Sequence, residues 1–263
     1  MEITVRGQPA FAATGGRPFD PVLPAVVFVH GAGMDHTVWQ LQTRYFAHHG
    51  RSVLAVDLPG HGRSAGPALA TVADMALWLG ELIEAAGATK SVALVGHSMG
   101  ALVALQAAAG RDDVGALALL GVAARMPVHP GLLEAAERDD PLAVELITSW
   151  AFGRAAHIGG HRAPGLWMTG GGRRLLGRSA PGVLYRDLAA CDAYGDALAA
   201  AAAVRCPALL LLGAWDAMTP PRVAAPLAEA LREVRTTVLP ECGHMMMIER
   251  PDASLDALRG IVR

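Results

Sequence analysis

The stretch VALVGHSMGAL, residues Val92 to Leu102, is a run of aliphatic residues that breaks at a serine held between two glycines. Gly96 and Gly100 flank Ser98 in the pattern Gly-x-Ser-x-Gly. A sharp turn from strand to helix strains the central residue, and a Cβ at either flanking position would collide with the neighbouring strand or helix. The pattern therefore predicts a strand, a tight turn and a helix, with the Ser98 hydroxyl exposed at the apex.

Aliphatic runs without polar alternation recur outward from this stretch. They are AVVFV (Ala25 to Val29), SVLAV (Ser52 to Val56), SVALV (Ser91 to Val95), ALALL (Ala116 to Leu120) and ALLLL (Ala208 to Leu212). Strands that are apolar on both faces belong to parallel sheets covered by helices on both sides. Shorter strands are predicted at Glu2 to Arg6 and at about Arg235 to Leu239. The residues between Arg6 and the AVVFV strand are interpreted as a Gly/Pro-rich crossing connection without a strand.

Helical patterns lie between these runs, at about Thr71 to Ala86, Met99 to Ala109 and Pro221 to Leu231. A strand, a helix and a second strand at this spacing form a right-handed crossover. The sequence thus predicts an α/β fold, with a mostly parallel sheet of about eight strands flanked by helices.

The alternation fails between residues 124 and 190, where helical pieces are broken by Gly and Pro. A segment of this length is too long for an ordinary connection, so we expect a helical lid inserted over the sheet. The core domain would then comprise residues 1–123 and 191–263. Gly170 to Gly172 is interpreted as a hinge or helix break, and Asp187 and Asp192 as surface or capping residues.

The charge and cysteine content exclude several classes of function. The net charge is −2 and no run of five like charges occurs, which argues against a nucleic-acid partner. Lys90 is the only lysine, so Schiff-base chemistry has almost no candidate residue. The three cysteines, Cys191, Cys206 and Cys242, have no metal-ligand spacing and are expected to be buried thiols in a reducing compartment.

Hydropathy argues against a membrane partner. No segment reaches about 18 unbroken apolar residues, and the N-terminal stretch lacks the apolar core of a signal peptide. We therefore expect a soluble, cytoplasmic protein that acts on a small-molecule substrate. No motif indicates the oligomeric state.

Two further residues fit a nucleophilic serine. A serine hydroxyl needs a base to take its proton, and the base needs an acid that fixes its tautomer. Asp216 follows the ALLLL run in GAWDAMTP, and His244 follows the last predicted strand in PECGHMMMIERPD. Because the carboxyl ends of parallel strands meet at one edge of a sheet, Ser98, Asp216 and His244 are predicted to form a catalytic triad.

Backbone N–H groups near this serine are candidates for an oxyanion hole, which stabilises the negative charge that develops in acyl transfer. Met99 heads the helix after the turn, and Ala32 lies in the HGAG turn after an earlier strand. His30 is expected to pin that turn by hydrogen bonds. A dinucleotide-binding interpretation of GAGMDH fails, because His36 stands where the third glycine would be needed for close helix packing.

With HGAG, DLPGHGRS, GHSMG, GAWD and CGHMMMIERP in this order, the chain resembles the α/β-hydrolase superfamily over essentially its full length. The resemblance implies Ser98 as nucleophile, His244 as base, Asp216 as orienting acid, and Ala32 and Met99 as oxyanion donors. Within the superfamily, the sequence is most similar to small esterases and enol-lactone hydrolases with a helical lid. Dehalogenases and epoxide hydrolases of the superfamily carry an aspartate in place of the serine.

The expected activity is hydrolysis of a small ester or lactone through an acyl-enzyme intermediate, without a metal or an organic cofactor. Met34, Trp167 and Met245 are predicted to line an apolar substrate pocket. Arg173, Arg174 and Arg178 are interpreted as a solvated helix face rather than a carboxylate site.

Other functions stay open at this point. A carbon-carbon bond hydrolase is disfavoured, since enzymes of that kind often carry Trp directly after the catalytic histidine and this chain carries Met245. A lyase, a cofactor-free oxygenase and a ligand-sensing protein with little turnover use the same scaffold and remain alternatives.

Overall fold

The computed structural model describes residues 1–88, 90–157 and 167–262, and these contain an eight-stranded sheet in the order β1-β2-β4-β3-β5-β6-β7-β8. The strands are β1 (Glu2–Val5), β2 (Gln8–Ala13), β3 (Ala25–Val29), β4 (Ser52–Val56), β5 (Val92–His97), β6 (Val114–Leu120), β7 (Ala208–Gly213) and β8 (Val234–Leu239). The pairs from β4 to β8 are parallel, while β1 and β2 join by antiparallel pairing. The predicted mostly parallel sheet is confirmed.

Helices cover both faces of the sheet, which explains why its central strands are apolar throughout. They are α1 (Gln40–Ala47), α2 (Val72–Ala85), α3 (Met99–Ala109), α4 (Pro130–Glu137), α5 (Pro141–Ala151), α6 (Arg154–His157), α7 (Met168–Leu176), α8 (Val183–Ala193), α9 (Ala197–Ala203), α10 (Ala225–Ala230), α11 (Met246–Glu249) and α12 (Pro251–Arg259). The buried faces of α2, α3 and α9 pack on one side, and those of α1, α11 and α12 on the other. Every residue of β3 and β4 is buried.

Two elements differ from the sequence prediction. The segment interpreted as a crossing after Arg6 contains β2, which pairs with β1 around a turn where Arg6 and Gly7 both have positive φ. Pro9 obscures this strand in the sequence because it lacks an N–H donor, but proline is tolerated near a strand start. The helix predicted from Pro221 begins as a 3-10 turn, Pro221–Ala224, before α10.

Between β6 and β7 the described residues form six helices, α4 to α9, and the first five of these begin in the segment where the strand–helix alternation fails. The predicted end of the inserted lid at residue 190 lies inside α8, so this helix belongs to both predicted parts. The prediction of a hinge at Gly170 to Gly172 is wrong, because these glycines lie inside α7. The missing side chains of Gly170 and Gly172 leave room for aromatic rings: a Cβ on Gly172 would lie 2.7 Å from the Phe152 ring.

Two of the three cysteines are buried as expected. Cys191 and Cys242 are buried free thiols, and Cys206 is half-buried. Within the residues that the structure describes, no helix combines the length and hydropathy that a membrane crossing requires.

Candidate active site

Ser98 lies at the turn between β5 and α3 in a strained backbone conformation. Its φ of 54° and ψ of −118° fall in a region that costs a non-glycine residue about 1–3 kcal/mol. A Cβ on Gly96 would collide with the Gly100 carbonyl, and one on Gly100 with the carbonyls of Val29 and His30. The predicted steric reason for both glycines is confirmed.

Asp216 and His244 form a buried pair at the ends of β7 and β8. His244 Nδ1 lies 2.7 Å from Asp216 Oδ2, and the two side chains are 2% and 0% exposed. The backbone N–H groups of Met218 and Thr219 each donate to Asp216 Oδ1 at 2.8 Å, and Thr219 Oγ1 donates to Oδ2 at 2.8 Å. These contacts fix the orientation of the carboxylate.

The ionisation of Asp216 sets the tautomer of His244. Burial by itself raises the pKa of Asp216, but the neighbouring imidazole of His244 and the hydrogen bonds from Thr219 outweigh it and lower that pKa to about 2. An ionised carboxylate only accepts hydrogen bonds, so the proton on the ring lies at Nδ1. The other ring nitrogen, Nε2, is then an acceptor.

Ser98 and His244 both pack against the end of β6 and line one cavity, and no hydrogen bond joins His244 Nε2 to the Ser98 hydroxyl. The N–H of Ser98 donates to the Leu120 carbonyl at 2.9 Å, and the next residue, Gly121, packs directly against His244. A Cβ on Gly121, whose φ is +58°, would lie 2.8 Å from His244 Cε1. His244 Nε2 is buried and has no hydrogen-bond partner among the described residues, so it is free to accept a proton.

Backbone contacts hold His244 from both sides. Its N–H donates to the carbonyl of Ala151 at 2.7 Å, at the end of α5, and its own carbonyl accepts from His97 Nε2 at 3.0 Å. The helix that ends at Ala151 therefore helps to position the imidazole.

Glu249 is a buried carboxylate that sequence analysis missed. It accepts N–H groups from Gly153 at 2.9 Å, Gly243 at 3.1 Å and Met245 at 3.2 Å, so it braces the loop that carries His244. Burial raises its pKa, and these hydrogen bonds oppose the rise. In the sequence, Glu249 is marked only as an acidic residue that follows the apolar residues of MMMIER. This stretch is too short to predict which groups surround the carboxylate.

The two predicted oxyanion donors flank Ser98. Met99 is the first residue of α3, where N–H groups have no acceptor within the helix. Ala32 lies in the loop after β3 and lines the same cavity as Ser98 and His244.

His30 pins this loop, as the sequence predicts. Its Nδ1 donates to the Gly31 carbonyl at 2.9 Å, and its Nε2 accepts from the Leu58 N–H at 3.1 Å. Burial lowers the pKa of His30 to about 4. A neutral ring is the form that donates through one nitrogen and accepts through the other.

A cavity of about 400 Å³ opens above Ser98 and lies within the range of about 300–1,000 Å³ typical of small-molecule sites. None of the described residues that line it is an Asp, Glu, Lys or Arg. The lining residues are Ala32, Met34, Ser98, Met126, Pro127, Val128, His129, Leu132, Ile147, Trp150, Ala151, Leu188, Cys191, Ala217, Met218, Thr219 and His244.

The predicted substrate-binding residues are placed differently. Met34 lines the cavity, whereas Trp167 and Met245 do not. Trp167 is 59% exposed at the start of α7, because this side of the helix faces solvent rather than the sheet. Met245 is 1% exposed and packs into the core beneath His244. The cavity instead takes residues from α5 and α8, whose inward faces sequence analysis did not identify.

The charged residues of the inserted segment divide into two kinds. Arg173 pairs with Glu145 at 2.5 Å on the surface, which agrees with a solvated face. Asp187 is completely buried, so its interpretation as a surface or capping residue is wrong. Its carboxylate lies 2.8 Å from His61 Nε2 and 2.8 Å from the N–H of Gly33. The sequence does not indicate these partners because they lie more than 120 residues away.

Residues 26–257 match the model of the Alpha/beta hydrolase family. The chain is 31% identical to the pimeloyl-[acyl-carrier protein] methyl ester esterase of Chromobacterium violaceum, over 89% of this chain and 92% of the relative. It is 28% identical to the (E)-2-((N-methylformamido)methylene)succinate hydrolase of Acinetobacter baylyi, over 89% and 88% of the two chains.

Among solved structures, a thermophilic esterase from Thermogutta terrifontis superposes with a TM-score of 0.84 at 25% identity. The match covers 99% of this chain and 96% of the esterase. The similarity therefore spans the sheet and the inserted helices alike.

Proposed function

The chain belongs to the alpha/beta hydrolase family, and from this premise we propose that it is a serine hydrolase that cleaves a small carboxylic ester or lactone. Ser98 is the nucleophile, His244 the general base and Asp216 the acid that orients it. The N–H groups of Ala32 and Met99 form the oxyanion hole. The observation that carries the proposal is the buried His244–Asp216 pair, whose free Nε2 shares a cavity with the strained Ser98.

In the first step, Ser98 Oγ attacks the carbonyl carbon while its proton passes to His244 Nε2. The carbonyl oxygen becomes an oxyanion that accepts from the N–H groups of Ala32 and Met99. The bond to the leaving oxygen then breaks, His244 protonates that oxygen, and the acyl group stays on Ser98.

In the second step, His244 takes a proton from water, and the resulting nucleophile attacks the acyl carbon. The bond to Ser98 Oγ breaks, and the proton returns from His244 to that oxygen. An ester yields an acid and an alcohol, and a lactone yields one hydroxy acid.

We propose an uncharged, largely apolar acyl group for the substrate. The described lining of the cavity offers methionine, leucine and other apolar side chains but no Lys or Arg that would pair with a carboxylate. The esterase activity in the name of the Chromobacterium violaceum relative supports ester chemistry. The succinate named for the Acinetobacter baylyi relative carries carboxylates, which this lining is poorly suited to hold.

The test is hydrolysis of p-nitrophenyl butyrate by the purified protein and by Ser98→Ala. We expect turnover by the wild type and loss of nearly all of it in the variant, with an unchanged far-ultraviolet circular dichroism spectrum. Wild-type turnover no faster than buffer would favour the ligand-sensing alternative. In water enriched in oxygen-18, one labelled oxygen in the acid product supports hydrolysis, and unlabelled product contradicts it.

A further inference from the structure

A buried ion pair lies beside the candidate site, between the turn after β4 and helix α8. His61 Nε2 is 2.8 Å from Asp187 Oδ2, and the side chains are 2% and 0% exposed. His61 Nδ1 donates to the Pro59 carbonyl at 3.0 Å. Both ring nitrogens thus face acceptors, which is the arrangement of a doubly protonated imidazolium.

The same carboxylate oxygen holds the oxyanion loop, which we define as Gly31 to Met34. Asp187 Oδ2 accepts the N–H of Gly33 at 2.8 Å. That N–H belongs to the peptide unit directly after Ala32, so the carboxylate fixes the plane next to the proposed oxyanion donor. Gly33 also packs on α8, since a Cβ at this position would lie 2.9 Å from Leu184 Cδ1.

Helix α8 also forms part of the cavity wall. Leu188 and Cys191, which line the cavity, lie one and four residues beyond Asp187 in the helix. The contact surface for the acyl group and the anchor of the oxyanion loop are therefore parts of one helix.

The stability of the fold alone does not account for this pair. Asp187 Oδ1 is buried without a hydrogen-bond partner among the described residues, which is a cost. Apolar residues of similar volume often stabilise a protein as well as a buried ion pair does, or better. A positional role explains the charge, because an ionised carboxylate is a strong acceptor for the Gly33 N–H.

We propose that Asp187 and His61 are positioning residues that hold the oxyanion loop against α8 in its catalytic geometry. This inference rests on the proposed function. His61 fixes the carboxylate, the carboxylate fixes Gly33, and Gly33 fixes the direction of the Ala32 N–H. Neither side chain touches the reacting atoms.

The test compares Asp187→Asn and the double variant His61→Leu/Asp187→Leu with the wild type, using p-nitrophenyl butyrate. Labelling of Ser98 to completion with a fluorophosphonate probe counts the active sites, so turnover is expressed per active site. Displacing a reacting group by about 1 Å costs up to about 100-fold in rate. We expect turnover per site in the double variant to fall by about 10- to 100-fold, and in Asp187→Asn by less.

The split between kinetic constants separates positioning from folding. Loss of a transition-state interaction lowers kcat and kcat/KM by the same factor and leaves KM unchanged. A purely structural role would lower the number of active sites and leave turnover per site intact, and that outcome overturns the inference.

Asp139→Asn is the matched control. Asp139 accepts the N–H of Gly182 at 2.8 Å, at the start of the same helix, and it is exposed. We expect wild-type turnover per site in this variant, and an equal loss in it would also overturn the inference. Failure of the proposed function is distinct, because then the wild type itself would not hydrolyse the ester.

Discussion

Two clefts of similar size open at opposite edges of the sheet, one of about 400 Å³ at the carboxyl ends of the strands and one of about 450 Å³ at their amino ends. The carboxyl-end cleft contains a strained serine and a buried imidazole, and an apolar wall surrounds them. The amino-end cleft is lined by Arg51, Glu233 and Arg235 among other residues. Arg235 donates to the Ala257 carbonyl at 2.8 Å. One of the two arginines of this cleft therefore already makes a structural hydrogen bond.

Because the two clefts have similar volumes, cavity volume does not identify the site. The clefts differ in their buried polar groups. At the carboxyl-end cleft, Asp216 holds His244 through Nδ1 and leaves His244 Nε2 without a hydrogen-bond partner among the described residues. Such groups converge at the carboxyl ends of parallel strands, because the loops and helix N-termini that follow the strands meet there. Substitutions at the carboxyl-end cleft are therefore expected to change activity or stability far more than substitutions at the amino-end cleft.

The largest effect is expected from Asp216→Asn. The amide oxygen will take the place of Oδ1, which accepts two backbone N–H groups, and the NH2 group will then face His244 Nδ1. A donor at that position forces the imidazole proton onto Nε2, so the base can no longer accept from Ser98. We expect kcat to fall on the order of 10⁴-fold.

The measurement is kcat with p-nitrophenyl butyrate, with circular dichroism as a check of folding. Residual activity within tenfold of the wild type would show that His244 does not depend on this carboxylate. The carboxyl-end cleft would then lack a triad.

A pair of glycine variants compares the two edges directly. In Gly96→Ala the new methyl group meets the backbone of Gly100, whereas in Gly115→Ala, at the amino-end cleft, it meets the hydroxyl of Ser91, which can rotate away. We expect the first variant to lose at least about 3 kcal/mol of stability and the second less than about 1 kcal/mol.

Thermal unfolding followed by circular dichroism measures this difference. One kcal/mol corresponds to about 2–4 °C in Tm for a chain of this size class, so Gly96→Ala should melt at least about 6 °C lower. Equal melting temperatures for the two variants contradict the steric account of the turn.

Val128→Phe tests the wall of the carboxyl-end cleft. Val128 is half-buried in the cavity lining, and its backbone N–H is held by Asp192, so the substitution narrows the cavity without breaking that contact. We expect kcat/KM for p-nitrophenyl octanoate to fall about tenfold and that for the acetate to change little, since one lost apolar contact is worth about 1–3 kcal/mol. Equal decreases in kcat/KM for the octanoate and the acetate would show that the acyl chain does not contact Val128.

The buried His61–Asp187 pair gives this edge a pH-dependent stability. Burial acts to lower the pKa of His61, but the charge and hydrogen bond of Asp187 and the Pro59 carbonyl outweigh it, and the pKa is raised. Of the other titratable groups nearby, Asp57 has a lowered pKa and stays ionised, while His30, with a pKa of about 4, stays neutral. The stabilising contribution of the raised group is complete below its unfolded pKa of about 6.5 and is lost as pH rises through the folded value.

The measurement is Tm at a series of pH values from 6 to 9, for the wild type and His61→Leu/Asp187→Leu. We expect the Tm of the wild type, relative to that of the variant, to decline as pH rises above about 6.5. Parallel curves across this range contradict a protonated His61 in the folded state.

The smallest effect is expected from Arg51→Gln in the amino-end cleft. Arg51 lies before β4, at the edge opposite Ser98. We expect kcat/KM for the butyrate ester to stay within about twofold of the wild-type value, because a screened charge at this distance contributes little. A tenfold change would assign a functional role to the second cleft.

The sheet, and the placement of Ser98, Asp216 and His244 at one end of its strands, could be predicted from the sequence because both follow from simple rules. A strand covered on both faces is apolar at every position, as in β3 and β4, and chain order places Ser98, Asp216 and His244 after strands that end at the same edge. Of the strands, β2 escaped prediction, because Pro9 weakens its pattern.

The inserted helices could not be predicted in the same way. A period of 3.6 residues indicates that a helix has an apolar face but not which neighbour that face meets. This is why Trp167 was expected in the cavity and lies at the surface, while Leu188 and Asp187, which face the sheet, were not identified as site residues. Their partners come from distant parts of the chain.

The hydrogen bond between the His244 N–H and the Ala151 carbonyl constrains how a substrate enters. Helix α5 lines the cavity and also holds the backbone of the proposed base, and Gly153 beyond it is tied to Glu249. If α5 swung outward to admit a molecule, the imidazole would lose its anchor with every turnover. Substrate entry that leaves α5 in place therefore keeps the proposed base in position throughout turnover.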